Sequence, residues 1–370
     1  MMMINKLGIG MFIFLCGATS LVVFATLLTT PRADQPQSTP EKPNVVTATG
    51  PSTPLDLARL VKDSDLVVVG RIRDVADNGP APAQVQAQCQ KCGIVHQVSA
   101  VLDVDRFLGD TRSAALNIMY LARELPNGQA ELGVVSNGAY GMFFLQSNGS
   151  DAYQFSSARY PFLVATQVKP PAVIGATVYD RAVLELTRVL ESEAMSPTDQ
   201  VSAIIALHSV KTNSVIKALH RAAQSGDRSV SLRAMESLFL HNDTTLLDDA
   251  VTLMINPPPD VTKEWSEGLG YSIRAGITDA QAVPALTRLL NSSNVEHRRI
   301  AAETLNRTGP PGRAALTKAL DDSDQKVRYA AVTGLATITG ETDGMPSLEA
   351  FQKNEQHYLN HWQERMKKKN

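Results

Sequence analysis

The second half of the chain repeats itself, and this feature limits its fold more than any other. A stretch around Leu286 recurs 30 residues later around Leu316, and an earlier copy around Leu219 keeps a constant offset of 97 residues from the last one. The recurring positions are Asp227, Val230, Ala234 and Leu238 in the first copy, Asn294, Arg298, Ala301 and Leu305 in the second, and Asp324, Val327, Arg328, Ala331 and Leu335 in the third. A register held through two helices and a turn predicts stacked helical hairpins.

Each repeat has the pattern of a helix, a tight polar turn and a second helix. The turn residues Asp227, Asn294 and Asp324 are suited to N-cap positions, where a side-chain oxygen accepts from free backbone N–H groups. The recurring alanines let neighbouring helices approach closely, and the leucines form the seam between units. Because no unit buries its apolar face alone, the units must stack. We therefore predict an α-solenoid over residues 178–340, with a concave surface that binds a protein partner.

The segment DSDQKVRYAAVTGLATITG, which begins at Asp322 and ends at Gly340, resembles a short bacterial HEAT repeat of the phycobilisome-lyase type. The copy that begins at Asn294 departs from this pattern, because His297 stands where valine is usual. The resemblance implies a stack of HEAT-like repeats. Repeats of this type also occur in lyases that attach bilins to phycobiliproteins, so a bilin-lyase-like enzyme is one alternative. Those lyases are not expected to carry an export segment or a β-rich domain.

Residues 1–29 are predicted to be a signal-anchor or a signal peptide. The run that begins at Gly8 and ends at Leu28 contains no charged residue and is long enough to cross a bilayer as a helix. A typical secretory apolar region is shorter, which favours an uncleaved anchor. Residues 30–54 hold six prolines among small and polar residues and are predicted to be a disordered linker. The folded part is then expected on the periplasmic or extracellular side, or secreted if the leader is cleaved.

Residues 55–172 change to the alternating pattern of β-strands. The strand candidates, separated by turns rich in Gly and Asn, are residues 66–75, 98–105, 116–121, 139–145 and 152–155. Short strands at this spacing predict a small antiparallel β-barrel or sandwich. The succession of DLVVVGRIRDV, VLDVDRFLGD and YGMFFL resembles the netrin-like, OB-type barrels of bacterial exported proteins.

Cys89 and Cys92 form a CxxC pair between the first two predicted strands. A local disulfide is one interpretation, favoured by the expected export. Half of a metal site is another, with His96 as a third ligand, although zinc normally takes four. A redox-active dithiol is a third, but it usually requires a helix terminus that lowers the thiol pKa, and the sequence predicts no helix in this loop.

The remaining sequence shows no phosphate-binding loop, metalloprotease motif or nucleophile elbow, so we expect no cofactor, bound metal or catalytic activity. A net charge of −2 argues against a dedicated nucleic-acid binder. Glu264 and Glu267 flank Trp265 on a predicted helix and are interpreted as a solvated face. Residues 345–370 predict one capping helix after Ser347, followed by a basic tail.

These features together predict a multidomain α+β fold: an N-terminal membrane helix, a small antiparallel β-barrel or sandwich, and a C-terminal α-solenoid of HEAT-like repeats. The predicted function is a non-catalytic scaffold in the cell envelope that binds a protein partner through its repeats. A redox or metal-binding role for the cysteine pair and a bilin-lyase-like activity are the alternatives.

Overall fold

The computed structural model describes residues 55–87, 94–125, 127–130, 135–149, 152–157, 159–169, 176–259, 261–342 and 345–367. Over these residues the chain forms a small β-barrel followed by a row of helical hairpins. The predicted membrane segment from Gly8 to Leu28, the predicted linker at residues 30–54 and the pair Cys89 and Cys92 lie outside the described residues.

The predicted fold class needs a correction in its N-terminal part. Among the residues that the structure describes, no helix combines the length and the apolar character that a bilayer crossing requires. For the described residues the fold class is corrected to a β-barrel joined to an α-solenoid, and a membrane helix has no support among them.

The strands of the barrel are β1 (Leu66–Pro80), β2 (Val95–Phe107), β3 (Ala115–Arg123), β4 (Tyr140–Ser147), β5 (Ala152–Phe155) and β6 (Phe162–Leu163). Strand β1 pairs with both β2 and β4, β2 pairs with β3, and β5 joins β3 to β4, so the first five strands close into a barrel. The prediction of a purely antiparallel barrel is wrong, because β3 and β5 run parallel. The sequence also missed β6, since two residues are too few for a periodic signal.

Strand β1 is buried on both of its faces, which explains its unbroken apolar start. Leu66 and Val68 belong to the core inside the barrel, together with Phe143. Val67 and Val69 belong to a second core, which continues into the helices that follow. A strand covered on both sides reads as a continuous apolar run rather than as an alternation.

The helices that follow the barrel form hairpins. Their bounds are α3 (Val178–Glu191), α4 (Pro197–Leu207), α5 (Asn213–Ala222), α6 (Arg228–Leu240), α7 (Leu247–Ile255), α8 (Lys263–Gly276), α9 (Val283–Leu290), α10 (Val295–Leu305), α11 (Arg313–Ala319) and α12 (Gln325–Thr339); two short helices, α1 (Leu57–Lys62) and α2 (Ala83–Ala87), lie within the barrel region. We call α3, α5, α7, α9 and α11 the first helices and α4, α6, α8, α10 and α12 the second helices.

The second helices pack against one another more closely than the first helices do. Small residues allow this approach: a Cβ atom at Gly276 of α8 would lie 1.9 Å from the carbonyl oxygen of Phe239 on α6. Closer packing in one layer curves a stack towards that layer. The second helices therefore line the concave side of the solenoid.

Both ends of the solenoid are covered. At the C-terminal end, the prediction of one capping helix is wrong, because α13 (Leu348–Lys353) and α14 (Glu355–Lys367) are separated at Asn354, whose backbone leaves the helical conformation. These helices bury Phe351, Leu359, Trp362 and Met366 against the stack.

At the N-terminal end the barrel packs on α3 and shares its apolar core. Across this contact Arg106 of β2 donates two hydrogen bonds of 2.6 and 2.7 Å to the carboxylate of Glu185 on α3. Arg106 also donates to the carbonyl oxygen of Thr166 at 2.7 Å. Both charged side chains are almost fully buried, so this ion pair fixes the barrel on the first hairpin.

Candidate protein-interaction surface

The exposed sides of the second helices form one continuous surface, which we call the inner face. Its residues recur every three or four positions along each helix, as one side of an α-helix requires. They include Ser202 and Ile205 on α4, Arg233 on α6, Glu264, Glu267, Tyr271 and Arg274 on α8, Glu296, Arg299 and Glu303 on α10, and Thr333 and Thr337 on α12.

Four residues in the middle of the inner face form a compact group, the tryptophan cluster: Arg233, Glu236, Trp265 and Gly268. The guanidinium carbon of Arg233 lies 5.2 Å from the centre of the Trp265 ring, within the range of a cation–π interaction. Arg233 also forms a short hydrogen bond with Glu236, one turn further along α6. Gly268 faces the same carboxyl group, and a Cβ atom there would lie 2.1 Å from Glu236 Oε1.

The charge of the Glu236 carboxylate is only partly balanced by Arg233. Burial raises the pKa of Glu236 to about 7, although the charge and the hydrogen bond of Arg233 act in the opposite direction. Within the described part of the chain, Arg233 Nε is buried and has no hydrogen-bond partner. A buried ion pair stabilises a fold only when its remaining hydrogen-bonding groups are satisfied. Stability alone therefore does not explain this arrangement.

Charged residues around the tryptophan cluster are paired across and along the second helices. Arg274 on α8 lies 3.3 Å from Glu303 on α10, and on α10 Arg299 lies 2.8 Å from Glu296. Arg307, just beyond α10, donates to backbone carbonyl groups at the end of α8. These pairs place charged groups of both signs on the face.

Two large apolar side chains stand exposed on the same face. Tyr271 on α8 is 61% exposed, and Ile205 on α4 is 42% exposed. Tyr271 lies on the same helix as Trp265, six residues further along. Tryptophan, tyrosine and arginine are the residues that most often carry the binding energy of protein interfaces. Tyr271 and Arg233 bring two of these residue types to the inner face.

The turn residues identified from the repetition cap the N-termini of second helices. Asp227, Asn294 and Asp324 are the N-cap residues of α6, α10 and α12, and each side chain accepts from backbone N–H groups of its helix. The other recurring apolar positions, Val230, Ala234, Leu238, Ala301, Leu305, Val327, Ala331 and Leu335, are buried between helices. These residues shape the hairpins and do not lie on the inner face.

The recurring arginines connect each turn to the next unit. Arg298 donates to both carboxylate oxygens of Asp322 at 2.9 and 3.1 Å. Arg328 donates to Glu355 of α14 at 2.5 Å and to the carbonyl oxygen of Asp322 at 2.6 Å. The corresponding position in α6 is Ser231, whose hydroxyl donates to a backbone carbonyl in its own hairpin. We call these contacts of Arg298 and Arg328 the arginine ladder; it joins the last two hairpins to each other and to the capping helix α14.

His297 occupies the position that valine fills in the two other copies. Its ring is buried and lies 3.2 Å from the hydroxyl of Ser292 and 3.4 Å from the hydroxyl of Ser266. Burial lowers the pKa of His297 more than the nearby carboxylate of Glu296 raises it. This side chain is thus a neutral core residue near neutral pH.

The predicted role of the CxxC pair stays a prediction, since Cys89 and Cys92 lie outside the described residues. The proposed third ligand, His96, is buried, with Nδ1 2.8 Å from both carboxylate oxygens of Asp77 and Nε2 3.3 Å from Glu124. Neither ring nitrogen is free for a metal. Over the described ranges, no three acidic, histidine or cysteine side chains are placed to hold a metal ion.

The tryptophan cluster escaped the sequence analysis because its members come from two helices that diverge from the repeat pattern. Trp265 was noted only between two exposed glutamates, whereas Arg233, Glu236 and Tyr271 were not singled out. One local signal exists: α8 contains Gly268, Gly270 and Gly276, which helix propensity disfavours. Glycines retained inside a helix indicate close contact with another group.

A family model described as HEAT repeats matches residues 256–336 and, in a second overlapping match, residues 283–360. The C-terminal region contains HEAT repeats. The match begins before α8 and reaches into α14, so the hairpins α9–α10 and α11–α12 lie wholly within it. No curated protein sequence matches the chain significantly.

Several solved structures resemble the chain weakly. A designed armadillo repeat protein in complex with the peptide (KR)4 is 16% identical, covers 49% of this chain and 98% of its own, and has a TM-score of 0.32. The Escherichia coli protein YibA is 16% identical over 46% of this chain and 71% of its own, with a TM-score of 0.29. A structure of the Pds5–Scc1 complex is 14% identical, covers 53% of this chain and 37% of its own, and has a TM-score of 0.29.

Proposed function

We propose that this protein is a non-catalytic scaffold that binds a protein partner through the inner face of its HEAT repeats. The observation that carries the proposal is the 61% exposure of Tyr271 on α8, one turn before Arg274, which pairs with Glu303 on α10. A large aromatic side chain exposed on a rigid concave surface is typical of an interface centre. The salt-paired surroundings supply a polar rim.

The rigidity of the surface also supports a binding role. The solenoid is closed by the barrel at one end and by α13 and α14 at the other, so the second helices are held in fixed positions. A partner then loses little free energy in ordering the surface that it binds. The assignment of these repeats to the phycobilisome-lyase type, the netrin-like nature of the barrel and a location outside the cytoplasm are further parts of this proposal.

The test is partner capture with matched variants of the full-length chain. The wild-type chain, Tyr271→Ala and Lys217→Ala are immobilised and exposed to an extract of the source organism, and retained proteins are quantified. Lys217 is exposed on the first helix α5 and serves as the outer-face control. We expect a set of proteins that Lys217→Ala retains and Tyr271→Ala loses. If both variants retain the same proteins as the wild type, the inner face is not the binding surface.

A further inference from the structure

The tryptophan cluster has the chemistry of a receptor for a basic side chain. A guanidinium group is recognised by the face of an aromatic ring together with a carboxylate, because the ring attracts its charge and the carboxylate accepts its N–H groups. Trp265 supplies the ring and Glu236 the carboxylate, on adjacent second helices. In the free protein this place is taken by the chain's own Arg233.

Arg233 fills this place poorly, as a comparison within the same molecule makes clear. The buried pair of Arg106 and Glu185 uses two parallel hydrogen bonds of 2.6 and 2.7 Å and a third to a backbone carbonyl. Arg233 instead reaches Glu236 through Nη1 alone, and its buried Nε has no hydrogen-bond partner among the described residues. An ion pair that only stabilised the fold would be expected to resemble the first arrangement.

The tryptophan cluster is also accessible. The side chain of Arg233 is 37% exposed, so it can swing out into solvent without disturbing the core. The carboxylate of Glu236 packs directly against the α8 backbone at Gly268, where a Cβ atom would lie 2.1 Å from Oε1, so the open approach is from the side of Arg233. An incoming side chain can therefore reach the carboxylate by taking the place of Arg233.

The charge at the start of α8, next to the tryptophan cluster, selects the kind of partner. Glu264 and Glu267 are exposed on α8 on either side of Trp265, and Lys263 lies 3.5 Å from Glu267. Lys263 is one cation against the two carboxylates of Glu264 and Glu267 at the start of α8. The region then has a negative balance, which complements a basic segment.

We infer that Glu236 and Trp265 bind an arginine side chain of the protein partner and that Arg233 occupies this receptor until the partner displaces it. This inference rests on the proposed function and specifies the chemistry of the partner. Because Arg233 is attached to the same helix, it competes at a high effective concentration. Its removal should therefore strengthen binding of a basic peptide, whereas removal of an ordinary contact residue would weaken it.

The experiment measures binding of fluorescein-labelled hexa-arginine, hexa-lysine and hexa-glutamate to the full-length chain by fluorescence anisotropy. We expect hexa-arginine to bind best, since the planar guanidinium group of an arginine can both stack on the Trp265 ring and donate two hydrogen bonds to the Glu236 carboxylate. Arg233→Ala should bind hexa-arginine about tenfold more tightly than the wild type, and Glu236→Gln and Trp265→Ala should bind it about tenfold more weakly. Lys217→Ala on the outer face should bind like the wild type.

Glu236→Gln keeps the test decisive if Arg233→Ala does not fold, because it relieves a buried charge and should melt no lower than the wild type. The inference is overturned if Glu236→Gln and Arg233→Ala bind hexa-arginine like the wild type, or if hexa-glutamate binds best. If Tyr271→Ala still loses the captured partners in that case, the inner face is the binding surface and only the arginine receptor is wrong. If Tyr271→Ala also retains every captured protein, the proposed function fails as well.

Discussion

The substitution Glu185→Gln tests how the barrel is held on the solenoid. Glutamine has nearly the same shape as glutamate but carries no charge, so the change leaves the Arg106 cation buried without its counter-ion. The side chains of Arg106 and Glu185 are only 6% and 0% exposed, and water therefore cannot replace the lost partner. The carbonyl oxygen of Thr166 and the hydroxyl of Tyr140 remain within reach of the guanidinium.

Removal of one member of a buried ion pair typically costs about 3–5 kcal/mol. We expect a loss near the lower end, about 3 kcal/mol, because the two remaining partners of Arg106 still accept hydrogen bonds. Urea unfolding followed by tryptophan fluorescence measures the loss, since Trp265 lies in the solenoid and Trp362 in the capping helix α14. The double variant Arg106→Met/Glu185→Leu should recover most of it, because an apolar pair of similar volume replaces a buried ion pair at little cost.

The matched control is Glu349→Gln. Glu349 pairs with Lys353 at 2.8 Å, but these side chains are 77% and 71% exposed. Water screens such a pair, so its loss should cost less than about 1 kcal/mol. If Glu185→Gln destabilises the protein no more than Glu349→Gln does, the ion pair does not hold the barrel in place and the reasoning from burial is wrong.

Three further predictions follow from the repeats. The lowered pKa of His297 means that the unfolded chain binds more protons, so stability should fall as the pH drops below about 6.5; His297→Val should reduce this fall between pH 7 and pH 5 in urea unfolding. Gly276→Ala should destabilise by about 1–3 kcal/mol, because the new Cβ meets the Phe239 carbonyl, whereas Gly226→Ala, with open space around it, should not. In hydrogen exchange, amides of α8 should exchange faster than those of α12, and equal protection would contradict this.

The hairpins could be predicted because their signals are local and repeated. An N-cap residue such as Asp324 acts within its own turn, and a buried alanine such as Ala331 recurs at the same place in each copy. The closed barrel could be predicted only in part. The parallel pairing of β3 with β5 depends on contacts between Asn117 and Ala152, which no local pattern indicates.

The two features that matter most for the proposed function could not be read from the sequence. Arg106 and Glu185 are 79 residues apart, and nothing near either residue indicates its partner. The tryptophan cluster combines residues of α6 and α8 that do not recur in the other repeats. A comparison of the repeats therefore does not find them. The apolar run at the start of β1 did contain one unused signal: a strand apolar at every position must be covered on both faces.

The location of the tryptophan cluster is consistent with the uneven stability of the repeats. The arginine ladder joins the last repeats to the capping helices, but α6 has Ser231 in place of an arginine. Neither α7 nor α8 has a side-chain N-cap hydrogen bond, and α8 contains three glycines. Local opening should therefore be more frequent in the hairpin of α7 and α8 than in α12, whose N-cap residue Asp324 accepts two backbone hydrogen bonds.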